Sequence, residues 1–415
     1  MAYRVQFADE AAMKPLRWKN GKIPIALSTS LIKQNFSIRN ESDTVNAIRR
    51  SLLTWEKVTN VEFEVSWTDL QSLSPSGNSG DGVSLITIAP TSENLVLFGN
   101  ETGDVSARTR VFFNRKGFIN EADIVLNPYQ QFSTDGAIGT FDLEATITHE
   151  LGHLLGLEHS SVISSTMYAQ QRKNGTLNLS GFSLRTLAED DIAGIRSLYG
   201  AKNAEKDCCG QLHGKLIQTD GKPAKNMQVW AEEAETGRVM GEVLTVADGS
   251  FLFEGLVEGI YRIYTQETSD KVIFGAAEEL GEIKVKKGKT LNITKKLKDT
   301  PNGFGLLYAG FNGQLSELAV PLNDGKSYTV YIGGKNLDTK SVHIDFNSPF
   351  FSITPGTITT HDFGSQVSVV SFEVNVKSQT PPGEYSFIVQ KQNGESRFIV
   401  GGLTVETFLN QWNNF

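Results

Sequence analysis

The stretch that decides the fold is His149-Glu150-Leu151-Gly152-His153-Leu154-Leu155-Gly156-Leu157-Glu158-His159. It holds three of the six histidines in a chain of 415 residues. His149 and His153 are four positions apart, so on a helix they project from one face, one turn apart. Two imidazoles in that arrangement can bind one metal ion at about 2.0–2.1 Å. The spacing therefore predicts a helix that carries a metal site.

The rest of the stretch completes this predicted site. A third ligand six residues beyond His153 could not reach the same metal if the helix continued. Gly156 can take a positive φ and turn the chain back, which brings His159 over the metal. Three neutral histidines leave a fourth coordination position open, as in catalytic zinc sites. Glu150 lies beside the metal rather than on it, where it can accept a proton from water. Two plainer interpretations stay open: a buried amphipathic helix with incidental histidines, and a site that binds zinc without catalysing a reaction.

The segments around this helix mix strand and helix patterns. Apolar alternation and β-rich composition predict strands over residues 17–28, 61–67, 83–89, 105–113 and 122–126. Apolar residues at steps of three and four, starting with Val45, predict a helix over residues 43–58 with Asp43 as its cap. Further helices are predicted over residues 141–157, capped by Asp142, and 187–199. Together these patterns indicate an α+β domain over residues 1–200.

The pattern changes after Gly200. Residues 201–210 are polar and are predicted to be a linker. Short strands separated by turns fill residues 211–300 and 303–415, a spacing typical of β-sandwiches. The predicted fold is therefore multidomain, with an α+β catalytic domain followed by two all-β sandwich domains. Few contacts are expected to cross the linker, so residues 1–200 are expected to fold alone.

The histidine stretch resembles the zinc-binding motif of metzincins, H-E-x-x-H-x-x-G-x-x-H, and within that clan the chain is most similar to the matrixins. The resemblance covers roughly residues 15–200. It also rests on Ser160 after the third histidine and on Ser165-Thr166-Met167-Tyr168, which resembles a Met-turn. In addition, residues 190–200 resemble the closing helix of matrixins, and Arg17-Trp18 resembles their opening strand. It implies a zincin-like α+β domain and a zinc metalloendopeptidase with one catalytic zinc on His149, His153 and His159, and Glu150 as general base.

The resemblance also assigns supporting roles. Met167 is expected beneath the metal. Asp190 and Asp191 resemble an acidic pair that anchors the Met-turn, although simple charge at a helix N-terminus is the plainer interpretation. An extended substrate is expected along the rim strand at residues 105–113, added as a further β-strand. Residues 168–186 are expected to form the wall of the pocket for the residue after the cut.

The sequence departs from animal matrixins in several places. Their second, structural zinc needs further histidines, and the only others here are His213, His343 and His361, all outside the catalytic segment. No segment with a cysteine switch is recognised. In astacin-like and serralysin-like relatives a tyrosine two residues after the methionine ligates zinc. Ala169 holds that position here, so Tyr168 is not predicted to be a ligand. Structural calcium remains open.

The two β segments carry resemblances of their own. Residues 211–300 resemble a carboxypeptidase regulatory-like (transthyretin-like) β-sandwich, through segments such as Asp248-Gly249-Ser250-Phe251-Leu252-Phe253. Residues 303–408 resemble a generic immunoglobulin-like module, in which Pro382-Gly383-Glu384-Tyr385 is a familiar turn and strand. Neither segment shows convergent catalytic groups. They are therefore expected to bind substrate, carbohydrate or a surface.

Composition narrows the remaining functions. The formal net charge of -8, without a Lys/Arg stripe, argues against nucleic-acid binding. No apolar run reaches the roughly 18 residues needed to span a bilayer. Residues 1–10 show no signal pattern, so the protein is either cytosolic or has lost a signal. The appended β-modules favour a secreted or periplasmic enzyme, expected to be a monomer acting on proteins or peptides. The alternative is a secreted adhesion or carbohydrate-binding protein with a vestigial protease head.

The two cysteines of the chain, Cys208 and Cys209, are adjacent. Two cysteines cannot build a disulfide framework. We expect two free thiols in the linker, with a strained vicinal bridge or pairing with other chains as the alternatives.

Overall fold

The computed structural model describes residues 5–9, 14–73, 80–99, 105–178, 185–202, 209–269, 272–273, 276–298, 304–337, 342–362 and 367–405. Within these ranges the chain is mostly β structure, and its α-helices lie in the first 200 residues. The predicted linker at 201–210 falls largely outside the described residues, and so does Cys208. Cys209 is in a disulfide, so the expectation of a free thiol is wrong for this residue.

The first 200 residues combine a mixed sheet with helices. The strands are β1 Phe7–Asp9, β2 Lys14–Pro15, β3 Arg17–Trp18, β4 Lys22–Ser28, β5 Glu62–Thr68, β6 Leu85–Thr87, β7 Ala107–Phe113, β8 Phe118–Leu126, β9 Phe132–Ser133 and β10 Phe141–Asp142. The helices are α1 Thr44–Glu56, α2 Ser92–Leu95, α3 Leu143–Leu154 and α4 Glu189–Tyr199. Five strands lie parallel in the order β3-β8-β6-β4-β5, and β7 pairs antiparallel with β8. This mixture agrees in outline with the predicted α+β class.

Helix α1 supports the helix that carries the histidine stretch. Asp43 caps it by accepting a hydrogen bond from Asn46 N. Its buried side includes Trp55, whose Nε1 donates to the carbonyl of Thr148 in α3 at 2.9 Å. The prediction that Val45 lies on this side is wrong, because Val45 is 48% exposed. The buried side holds Ile48, Leu52 and Trp55 together with the small residues Ala47 and Ser51.

Taking residues 1–200 as the first segment, the described part of the second β segment (209–298) contains eight strands and that of the third β segment (304–405) contains ten. The second has β11 Gly210–Ile217, β12 Met227–Glu233, β13 Val239–Leu244, β14 Ser250–Leu256, β15 Gly259–Ser269, β16 Val272–Ile273, β17 Glu278–Val285 and β18 Thr290–Lys296. The third has β19 Gly305–Phe311, β20 Gln314–Ser316, β21 Val320–Leu322, β22 Ser327–Lys335, β23 Val342–Asp345, β24 Phe351–Ile353, β25 Thr359–Asp362, β26 Ser368–Val376, β27 Gly383–Lys391 and β28 Ser396–Val405.

One sheet connects these two segments. Its main path is β13-β12-β15-β16-β19-β22-β26-β24, so the hydrogen-bonded ladder passes from one predicted module into the next through β16. Two smaller sheets, β14-β11-β18 and β21-β28-β27-β23, accompany it. The two segments are therefore rich in β-sheet as predicted. Their specific module types and their boundaries stay predictions.

The first 200 residues pack against both β segments. Val162, which lies between the third histidine and the predicted Met-turn, shares an apolar cluster with Trp230 and Val400. In addition, Glu242 N donates a hydrogen bond of 2.6 Å to buried Asp190 Oδ1. The expectation that few contacts cross residue 200 is therefore wrong. Burial of apolar surface between the segments stabilises them as one packed unit.

Candidate active site

Helix α3 is held at both ends. Asp142 caps its start by accepting from Ala145 N at 2.9 Å. Near its end, the carbonyl of Leu154 accepts from Trp18 Nε1 at 2.9 Å, and that of Leu155 accepts from Tyr199 OH at 2.7 Å. The predicted opening and closing elements thus meet on the carboxyl end of this helix.

A tight turn follows α3 at Gly156, which has a φ of 104°. A Cβ atom at this position would lie 2.3 Å from the carbonyl oxygen of Leu16. Both the backbone conformation and the space therefore require glycine. The turn brings the third histidine back over the helix, as the sequence predicts.

The structure brings His149, His153 and His159 together. One ring nitrogen from each lies within 4.8 Å of those of the other two, and the Nε2 atoms of His153 and His159 are 3.1 Å apart. His149 Nδ1 lies 2.6 Å from the carbonyl oxygen of Thr166, and His153 Nδ1 lies 2.9 Å from that of Leu157. A carbonyl only accepts, so each Nδ1 carries the proton and each Nε2 keeps its lone pair free.

This donor set fits a zinc ion. Metal-ligating histidines commonly bind a carbonyl or carboxylate through the second ring nitrogen, which fixes the ring. Burial, followed by the neighbouring His153 and His159, holds the pKa of His149 well below its usual value, which favours the neutral ligand form. Within the described residues, these three histidines form a cluster whose ring nitrogens lie close enough together to hold one metal ion.

Glu150 is buried beside the three histidines. Thr109 Oγ1, on strand β7, donates to Glu150 Oε2 at 2.5 Å. Burial raises the pKa of Glu150, while the charge of His153 and the Thr109 hydrogen bond oppose this rise. Thr109 is a site residue that sequence reasoning missed. Its only local signal is its place on the predicted rim strand.

Met167 is buried under α3, as expected for a Met-turn. A Cβ atom on Gly152 would lie 2.2 Å from Met167 Sδ, so this glycine makes room for the methionine between the first two histidines. Asp191 accepts hydrogen bonds from the backbone of Thr166 and Met167 at 2.9 and 3.1 Å. Asp190 instead accepts from Ser160 Oγ at 2.6 Å. The acidic pair thus contacts both sides of the loop that carries Met167.

An open cleft of about 530 Å³ runs along the three histidines and Glu150. Strand β7 forms one wall through residues from Ala107 to Phe113. Ala169 and Gln171, after the predicted Met-turn, lie on another. The predicted rim strand therefore borders the site. Of the predicted pocket wall at 168–186, residues 179–184 lie outside the described part of the chain.

The other predicted positions lie away from the cleft. His213 and His343 are exposed. His361 is 2.6 Å from Ser371 Oγ, inside the third segment. Tyr168 faces a second cavity rather than the three histidines, and burial raises its pKa to about 12. No described α-helix is both long and apolar enough to cross a membrane.

Comparison with known proteins supports the matrixin resemblance over part of the chain. Residues 103–200 match the family described as Matrixin. Matrilysin of Rattus norvegicus is 44% identical over 73 residues, which is 18% of this chain and 25% of that protein. Metalloendoproteinase 1 of Glycine max is 29% identical over 160 residues, covering 37% of this chain and 45% of that protein. The chain thus spans less than half the length of these relatives.

The match contains the three histidines, Glu150 and Met167, which supports a zinc metalloprotease in general terms. Among solved structures, the major pilin subunit BcpA of Bacillus cereus is similar over 46% of this chain and 66% of that chain, at 14% identity and a TM-score of 0.18. That likeness is too weak to support an argument about the β segments.

Proposed function

We propose that the chain is a zinc-dependent endopeptidase that hydrolyses peptide bonds of extended protein substrates. The observation that carries this proposal is the convergence of His149, His153 and His159 on a cleft in which a buried carboxylate, Glu150, lies beside them. The matrixin match of residues 103–200 supports the same activity.

The protein's side chains divide the chemistry between them. The three histidines would hold zinc, which supplies Lewis acidity toward a peptide carbonyl and acidifies water. Glu150 accepts a proton from the attacking water on a carboxylate oxygen and delivers it to the nitrogen of the leaving amine. Thr109 fixes the direction of Glu150 Oε2 through its hydrogen bond. A positioned base of this kind contributes about 10²–10⁴-fold to the rate.

The substrate is proposed to lie extended along β7. This strand pairs with β8 along one side, and its residues from Ala107 to Phe113 border the cleft. A peptide can add to such an edge through main-chain hydrogen bonds, which tolerate many sequences. We further propose a secreted or periplasmic enzyme whose β segments hold substrate, carbohydrate or a surface.

Peptide cleavage by the full chain, with and without a chelator, tests this function. Random-sequence peptides are incubated with the protein, products are identified by mass spectrometry, and bound zinc is measured by elemental analysis. We expect one zinc per chain, loss of cleavage with chelator and recovery on adding zinc. A variant carrying His149→Ala, His153→Ala and His159→Ala is the control and should bind no zinc.

Three results would contradict the proposal. A folded chain that holds one zinc but cleaves no peptide would favour the adhesion or carbohydrate-binding alternative. Two zinc ions per chain would contradict the prediction of a single zinc site. Zinc retained by the triple variant would show that the metal site lies elsewhere.

A further inference from the structure

A second, smaller cavity lies behind the wall of the cleft. Its volume is about 40 Å³, against about 530 Å³ for the cleft itself. Its lining comes from three places: the first turns of α3, residues 163–172 around and after Met167, and the third β segment, which contributes Leu318 and Ala319. Space of this size holds only a few water molecules. The cavity is therefore closed on one side by a module far along the chain.

Gln171 borders both spaces. Its Oε1 accepts hydrogen bonds from Ser106 Oγ at 2.6 Å and from Thr146 Oγ1 at 3.1 Å. One donor comes from the segment before β7 and the other from α3. Two hydroxyl groups, one from a residue that lines the cleft and one from a residue that lines the cavity, therefore fix the amide between the two spaces.

The third β segment is attached to the same wall. Gln170 Nε2 donates to Glu317 Oε2, directly beside the cavity floor. Asn312 Nδ2 donates to the carbonyl of Leu177 at 3.1 Å. Leu318 is only 8% exposed, so its side chain has a fixed place at the end of the cavity. These contacts fix the position of Leu318 and Ala319 relative to the residues that follow Met167.

We infer that the third β segment completes a specificity pocket of the proteolytic site, with Leu318 and Ala319 as its floor and Gln171 as its gate. This inference rests on the proposed function. The apolar floor and the small volume favour substrates with a small apolar side chain, of the size of alanine or valine, next to the cut. Larger side chains such as those of leucine and phenylalanine would clash with Leu318.

Leu318→Ala tests the floor, because it lengthens the pocket without touching zinc or Glu150. Full chains are loaded with zinc and given the random peptide mixture, and the ratio of phenylalanine to alanine beside the cut is counted. One methylene in an apolar pocket changes selectivity about 10-fold or more, so this ratio should rise by at least that factor. Leu337→Ala is the matched control, because Leu337 is a buried leucine in the core of the same segment. The control should lose stability and keep the wild-type ratio.

A second readout does not need turnover. In a Glu150→Ala background, the affinities of phenylalanine-containing and alanine-containing peptides are compared with and without Leu318→Ala. The inference is overturned if Leu318→Ala changes neither the phenylalanine-to-alanine cleavage ratio nor the corresponding affinity ratio. It is also overturned if Leu337→Ala shifts these two ratios as much as Leu318→Ala does. A wild-type chain that cleaves no peptide would refute the proposed function, and the affinity ratio would then decide the pocket separately. Gln171→Ala should open the gate and shift the ratio in the same direction.

Discussion

Replacing Asp191 with asparagine alters a carboxylate on which four donors converge. Its Oδ1 accepts from Ser165 Oγ at 2.5 Å and Met167 N at 3.1 Å, and its Oδ2 accepts from Thr166 N and Ala188 N, each at 2.9 Å. Burial raises the pKa of Asp191, but the four donors favour the ionised form. In Asp191→Asn, the NH₂ group in the less costly orientation of the amide faces Ser165 Oγ, which can accept from it, and Met167 N, which cannot.

Met167 N then loses its carboxylate acceptor, and the other donors face a neutral amide instead of a charged carboxylate. One such loss costs about 1–3 kcal/mol, so Asp191→Asn should lower the free energy of unfolding by about 1–3 kcal/mol. The neighbouring substitution Asp190→Asn is the matched control. Burial and the nearby charge of Glu242 raise the pKa of Asp190 well above its usual value, so replacing this carboxyl with a neutral amide removes a charge that its surroundings disfavour. An asparagine there can still accept from Glu242 N and donate to Ser160 Oγ, so it should cost less than about 1 kcal/mol.

Urea titrations of both variants and the wild type, at one pH, measure the difference. Peptide turnover, measured alongside, should fall more in Asp191→Asn, because the loop that carries Met167 and the Thr166 carbonyl beside His149 loses its anchor. Equal destabilisation by the two substitutions, or a neutral Asp191→Asn, would refute the four-donor account.

Three further predictions concern packing and charge. A chain that ends at Gly200 loses the surface that covers Val162, so it should be insoluble or inactive on short peptides; a soluble fragment of full activity would contradict this. Gly152→Ala forces a Cβ atom against Met167, so it should lower the free energy of unfolding in urea by about 1–3 kcal/mol and weaken zinc binding in a metal titration. An unchanged free energy of unfolding and an unchanged zinc affinity would exclude the close contact. Burial, with neighbouring acidic charge, raises the pKa of Glu384 from 4.5 to about 8, so stability is lost as pH rises from 4.5 through 8. Glu384→Gln should flatten that decline in pH-dependent unfolding measurements; a decline as steep as in the wild type would assign it to other groups.

The parts of the site that depend on neighbours along the chain were predictable. The spacing of His149 and His153 follows from the helical period, and the turn at Gly156 follows from the conformational freedom of glycine. Asp142 at the start of α3 is likewise a local capping interaction. Such features need only a few residues to be consistent with each other, so one sequence is enough to recognise them.

Contacts between distant segments were not predictable in the same way. Thr109 reaches Glu150 across the join between sheet and helix, and Glu242 reaches Asp190 from the second β segment. Their partners are 41 and 52 positions away along the chain. No period or spacing rule connects such positions. For the same reason, the polar linker at 201–210 suggested independent domains, whereas Val162 is buried among residues of both β segments.

Zinc content and turnover of Glu150→Ala, measured together on the full chain, test the central claim most directly. Glu150 shares α3 with the ligands but is not itself one of the converging nitrogen donors, so the variant should hold one zinc per chain, as the wild type does. Its kcat should fall by about 10²–10⁴-fold, because the same carboxylate both accepts and delivers the proton. Zinc lost together with activity would make Glu150 a ligand or a structural support. Turnover retained at the wild-type level would show that another group moves the proton, and would contradict the mechanism.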